Sequence, residues 1–209
     1  MWIKRISFWF KQRLLWLSTP FQKVISRMGH QEPDISPELV NRSIAMTIPG
    51  DIILTYESGR PTSRLIPGPL DHAAIVTNAM TVMEAVPDKF VNDRNLGGVR
   101  EVKLEPFLYR KNQYVIIRPV YLDKENVNMA AARHSFFYQG RRYDHQFNID
   151  NENIYCSELV YLCYRRFDNK FMEHISIYDE ILPDDYLKLV DDSRRNDLKF
   201  EIVFDTRTI

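Results

Sequence analysis

A chain of 209 residues with 44% hydrophobic residues is long enough to bury a core and too apolar to read as disordered. Two cysteines are too few for a disulfide scaffold. The 28 basic and 28 acidic residues cancel but are spread unevenly: residues 1–31 carry Lys4, Arg5, Lys11, Arg13, Lys23 and Arg27 and no acid, which leaves 22 basic against 28 acidic residues in the rest. A basic arm precedes an acidic body.

Within the arm, residues 2–17 read as an amphipathic helix. At ~100° per residue Ile3, Ile6, Phe10, Leu14 and Leu17 form one stripe, flanked by Trp2, Trp9 and Trp16, while Lys4, Lys11, Ser7 and Ser18 lie opposite; Phe8 and Leu15 break the pattern. Tryptophans beside an aliphatic stripe, with cations above it, suit a membrane surface rich in anionic lipid. Packing on its own domain or on a second subunit is the alternative. Nucleic acid is not expected, because aliphatic surface does nothing to grip phosphate. No uncharged stretch approaches the ~20 residues of a membrane span, and Lys11 and Arg13 interrupt any secretory apolar core. The expected location is cytoplasmic or peripheral to a membrane. Pro20 ends the helix.

The expected layout is the arm over 1–31, a linker and short helix over 32–48, and one catalytic domain over 49–209. Ser36-Pro37-Glu38 has the form of an N-cap followed by proline at the first helical position, which opens a helix to about residue 45. Pro49-Gly50 turns the chain into a strand over 51–56. A proline-bearing loop over 57–70 then delivers a strand over 72–77, and loops of this kind often frame a cleft. Strands follow at 81–85, 98–104 and 114–118, each rich in β-branched or aromatic residues. Asp123 caps a helix through about residue 138, stopped by Gly140. A helix runs from Cys156 to about residue 167, Pro183 opens a helical turn, and residues 199–204 alternate as a last strand. This order predicts an α+β body whose antiparallel strands pack against the Cys156 helix.

Cys156 stands in the first turn of its helix, where unpaired backbone N–H groups and the helix dipole favour a thiolate. Cys163, seven positions on, would lie about 10 Å away along the helix, beyond the ~7 Å reach of a disulfide, and reads as an inert core thiol. His72 opens a strand and is the candidate general base. If that strand pairs with the next about Asn78 through a three-residue loop, residue 72 faces Glu84; a two-residue loop would shift the register by one and turn Glu84 away. A thiolate attacks a carbonyl, a histidine moves the proton, and a carboxylate holds the histidine's tautomer. The Cys156 N–H is an available oxyanion donor, and Tyr143 or Tyr155 would add a hydroxyl. Arg60 and Arg64, in the loop before His72, would meet an anionic substrate group or simply be solvated. Taken singly each of these residues has a bland reading as core or surface. A zinc site on Cys156, His72 and His134 or His145 lacks the usual close Cys/His spacing, and no metal or cofactor is expected.

Several ordered motifs carry a resemblance: Gly50-Asp51-Ile52-Ile53-Leu54, His72-Ala73-Ala74-Ile75-Val76, Met83-Glu84-Ala85-Val86-Pro87, Tyr143-Asp144 with Phe147, Tyr155-Cys156-Ser157-Glu158-Leu159-Val160, and the tail Leu182-Pro183-Asp184-Asp185. Together they resemble the circularly permuted NlpC-type papain-like cysteine hydrolases of the YiiX-like group. The resemblance implies a permuted papain-like core, with Cys156 as nucleophile, His72 as base and Glu84 as third member. It departs at Ala73-Ala74, where relatives often have Val-Gly or Thr-Gly, and it does not include the basic arm. The expected activity is hydrolysis of an amide or ester through a thioester acyl-enzyme, on a small-molecule, peptide, cell-wall-peptide or lipid-linked substrate. The alternatives are an acyltransferase using the same thioester and a catalytically silent module that binds lipid or peptide.

Overall fold

Among the described residues, six short strands rich in branched and aromatic residues form a single sheet. The computed structural model describes residues 33, 35–58, 66, 68–87, 97–149, 152–173, 180–192 and 194–208; the arm, Arg60 and Arg64 lie outside them. In chain order the elements are α1 (Pro37–Met46), β1 (Ile52–Tyr56), β2 (His72–Asn78), β3 (Thr81–Val86), β4 (Gly98–Lys103), α2 (Leu104–Tyr109), β5 (Gln113–Tyr121) and α3 (Val127–His134). A 3-10 turn (Ser135–Tyr138), α4 (Cys156–Arg165), α5 (Pro183–Lys188), β6 (Leu198–Asp205) and a last 3-10 turn (Thr206–Thr208) follow. The sheet order is β4-β3-β2-β1-β5-β6, antiparallel at every pair.

Helices cover both faces, which is why β1 and β2 read as continuous apolar runs rather than alternating ones. One face presents Ile52, Leu54, Ala73, Ile75 and Met83 to Ala131 of α3 and Leu159, Val160 and Cys163 of α4. The other presents Ile53, Ala74, Val76 and Val82 to Val40 of α1 and Leu104, Phe107 and Leu108 of α2. Ser36 caps α1 as its sequence predicts, its hydroxyl accepting the Leu39 N–H at 3.3 Å, with Pro37 at the first helical position.

Three elements depart most from expectation. The helix expected from Asp123 begins at Val127, because Asn126 at φ 64° is left-handed and cannot continue a right-handed turn; its last four residues tighten into the 3-10 turn. Helix α2 has no counterpart in the predicted elements. Its Pro106 sits in the first turn, where a missing N–H costs nothing, so the proline that spoils the apolar pattern is tolerated. Strand β5 runs on through Pro119 to Tyr121. Its pairing with β1 ends at Ile117, so beyond that point, among the described residues, β6 alone pairs with it and a residue without an N–H is accommodated.

Candidate active site

Helix α4 is positioned by tyrosines from outside and within it. The Tyr164 hydroxyl donates to the Gly50 carbonyl at 2.5 Å, tying the helix to the start of β1, and the Tyr186 hydroxyl donates to the Ser157 carbonyl at 2.6 Å, holding the first turn. Gly50 has φ +93°, and a Cβ there would lie 2.5 Å from the Asn128 carbonyl oxygen, so the turn that opens the Gly50-Asp51 motif requires glycine. At the other end of the same contact, Cys156 is the first residue of α4 and His72 the first of β2. His72 shares strand parity with Ala74 and Val76, on the face away from α4. Thiol and imidazole meet because each begins its element, at the margin of the sheet.

The imidazole Nε2 lies 3.1 Å from Glu84 Oε2, and an ionised carboxylate only accepts, so Nε2 carries the proton of that bond. Nδ1 is thereby the nitrogen left for Cys156, whose sulfur lies 3.9 Å from the Ser157 hydroxyl and close enough to the imidazole for each group to shift the other's proton affinity. Burial would push the Cys156 thiol up, but the His72 charge and hydrogen bond outweigh it and the thiol is held below its ordinary value. Burial likewise opposes protonation of His72, yet Cys156 and Glu84 raise it above the ordinary histidine value. The two shifts run in opposite directions, and both favour the charged forms of the thiol and the imidazole.

Glu84 reaches His72 by a different register from the one expected. The β2–β3 loop is the two-residue Ala79-Met80 turn, and the pair Asn78↔Thr81 alone would turn Glu84 away. An irregularity between Val76 and Asn78 takes up one extra residue on β2, so the ladder continues as Val76↔Val82 and Ala74↔Glu84. Glu84 therefore opposes Ala74, not His72. It stands diagonal to His72 on the same face, a spacing that a long side chain bridges.

What sequence reasoning missed lies beyond Glu84. Arg100, directly opposite it in the β3–β4 register, donates to Oε1 from Nε at 3.1 Å and Nη2 at 2.8 Å. Gly98, two residues before it, has φ +103° and packs where a Cβ would strike the Arg141 carbonyl. Lys111 is wholly buried, 2.7 Å from Glu57 and 4.5 Å from the centroid of the Phe107 ring, which itself lies 6.2 Å from the His72 ring. Burial would raise the Glu84 carboxyl, but His72, Lys111 and Arg100 hold it far below the usual carboxylate range. Buried Glu84 and half-buried Glu57 thus each have a cation beside them, and Cys156 has the His72 imidazole. The signal available in the sequence was the need of a buried Glu84 for a cation; the register that selects Arg100 depends on pairing between β3 and β4, which stand eleven residues apart in the chain.

Tyr143 is buried in an aromatic run, edge-on to His145 at 5.2 Å and to Phe147 at 6.2 Å, and Phe147 packs on Tyr155 at 5.1 Å. Phe147 adopts φ +59°, a conformation costly for a bulky residue. The Tyr155 hydroxyl accepts the Ile181 N–H at 2.7 Å, which engages it with the segment leading into α5. Cys163 is buried on α4 with its thiol pushed well above its ordinary value by burial. His134 packs on Phe137 and Phe167, at the far end of α4 from Cys156. Among the described residues no group of three or more His, Cys, Asp or Glu side chains is arranged to hold a metal, and no helix is long and apolar enough to cross a membrane.

Residues 47–193 match the family described as permuted papain-like amidase enzyme, YaeF/YiiX, C92 family. Among solved structures, the crystal structure of the metalloprotein yiiX from Escherichia coli O157:H7 matches at 19% identity over 78% of this chain and 91% of that one, with a TM-score of 0.46. No curated protein matches significantly.

Proposed function

Because the chain belongs to the permuted papain-like amidase family of YaeF and YiiX, a family of cysteine-type hydrolases, we propose that Cys156, His72 and Glu84 form a catalytic triad that cleaves an amide bond through a thioester. The observation that carries this reading is the buried chain of contacts in which His72 meets Glu84 through Nε2 at 3.1 Å and the Cys156 thiol on its other side. The thiolate adds to the substrate carbonyl carbon. The oxygen that gains the electron pair lies toward the start of α4, where the Cys156 N–H is a fixed donor. The His72 imidazolium gives its proton to the departing amine as the carbon–nitrogen bond breaks, leaving a thioester and a neutral imidazole. That imidazole then takes a proton from water, whose oxygen attacks the thioester; the acid leaves and the proton stays with the thiolate–imidazolium pair. Glu84 touches His72 throughout and Arg100 holds Glu84.

The test is acylation with an activated ester such as p-nitrophenyl acetate, followed by intact-mass measurement. One acyl adduct on Cys156, released by hydroxylamine and absent in Cys156→Ser with the fold retained, is the expected result. Acylation elsewhere, or full turnover in Cys156→Ser, would sink the assignment.

A further inference from the structure

Opposite the thiol, the C-terminal ends of α3 and α4 converge on a surface that the hydrolytic chemistry does not use. The 3-10 turn exposes Phe136 and Phe137 at 42% and 66% of their surface, and Phe167, just past α4, at 40%. Phe137 and Phe167 share one face through His134, whose ring stacks on Phe137 at 5.5 Å and meets Phe167 edge-on at 5.8 Å, while the Arg141 guanidinium lies over Phe137 at 5.4 Å; Phe136 adjoins Phe137 in the same turn. Exposed Arg133, Arg142, Arg165 and Arg166 stand within five residues of these rings along the chain, Arg166 close enough to oppose protonation of His134, and residues 133–142 and 165–167 contain no acid. Helix C-termini favour basic residues, which accounts for Arg133 and Arg165. It does not account for Arg141 and Arg142 after the turn, nor for three exposed phenylalanines.

We infer that this phenylalanine–arginine face docks on the surface of an anionic phospholipid bilayer, the rings entering the headgroup layer and the guanidinium groups meeting lipid phosphate. Three considerations select that occupant. The exposed rings offer on the order of 300 Å² of apolar area at 150–250 Å² per side chain, less than the roughly 450 Å² of apolar surface that a standard protein interface buries per partner at about 57% of ~800 Å². The cationic rim calls for an anionic partner, so the basic residues 1–31, with six cations and no acid, are repelled rather than seated there. From its sequence alone, residues 2–17 of that arm are expected to set tryptophans and an aliphatic stripe against lysines, chemistry of the same kind. Ten residues of α4, about 15 Å of helix, separate the face from Cys156, so docking leaves the nucleophile end uncovered.

The full chain is sedimented with vesicles of phosphatidylcholine alone and with roughly one-third phosphatidylglycerol. Binding is expected on the anionic vesicles only, weakening as salt rises. Phe136→Ser/Phe137→Ser and Arg133→Glu/Arg166→Glu should each weaken it at least tenfold, also in a Lys4→Glu/Lys11→Glu background that isolates the face from the arm. Unchanged iodoacetamide labelling of Cys156 confirms that each variant is folded. Face variants that bind like the parent overturn the inference. So does a self-associated form that Phe136→Ser/Phe137→Ser dissociates with no effect on vesicle binding, which would assign the face to a second copy.

Discussion

Cys156 and Cys163 occupy the same helix, seven residues apart, and both are nearly devoid of solvent contact, yet their thiols are driven in opposite directions. Cys163 shows what burial does alone: with apolar neighbours the charged form is penalised and the thiol stays protonated. Cys156 suffers the same penalty and overcomes it, because the His72 charge and hydrogen bond and the Ala73 N–H favour the thiolate. Position on a helix and depth in the protein do not by themselves lower a thiol's proton affinity. A neighbouring imidazole does, and here that imidazole is hydrogen-bonded to a buried carboxylate.

The strongest way to break the contrast is to remove the cation. His72→Asn should make Cys156 resemble Cys163: its alkylation by iodoacetamide at neutral pH is expected to fall by about two orders of magnitude, with the rate–pH profile moving to higher pH. In the parent, turnover should fall as pH drops through the lowered thiol value and fall again as pH rises through the raised His72 value, which removes the acid for the leaving group. A His72→Asn profile that overlays the parent's would refute the ion pair.

Weakening the carboxylate should have a smaller effect. Glu84→Gln keeps the shape but loses the charge, and turnover should drop about tenfold to a hundredfold while His72 titrates lower. The stability readout has a definite sign. Glu84 has a depressed value in the folded state, so its contribution is fully present above its unfolded value near ~4.3 and is lost as pH falls through the folded one. Acid denaturation should therefore be less steep in Glu84→Gln, and an unaltered acid limb would contradict the assignment. Arg100→Gln removes two donors from Oε1 and should cost about 1–3 kcal/mol in denaturant unfolding, with a milder loss of turnover than Glu84→Gln. The smallest effect belongs to Cys163→Ala: unchanged Cys156 labelling and turnover, with roughly 1 kcal/mol lost to the small cavity.

Much of the fold was legible because local chemistry agreed with the final structure. Ser36-Pro37 capped α1, the branched runs became strands, and Cys156 began its helix where the sequence put it. Failures fell where a single residue's conformation overrode pattern, as at Asn126, or where a residue disfavoured by propensity occupied a position that tolerates it, as with Pro106 and Pro119. The hairpin is the most instructive case. The choice of Glu84 was physically sound in its face, yet the turn had two residues, and the irregularity near Thr77 restored the parity that such a turn would have reversed.

From the chain alone followed the residue types and their order: a thiol opening an amphipathic helix, a histidine opening a strand, a carboxylate within an apolar run, and a family likeness built on those motifs. Only the tertiary structure supplied Arg100 and Lys111 and set the proton affinities of the two cysteines apart. The reason is range. Caps, turns and periodicity are fixed by neighbours a few residues away, whereas the charge on a buried group depends on which distant side chains strand register and helix packing bring within a few ångströms.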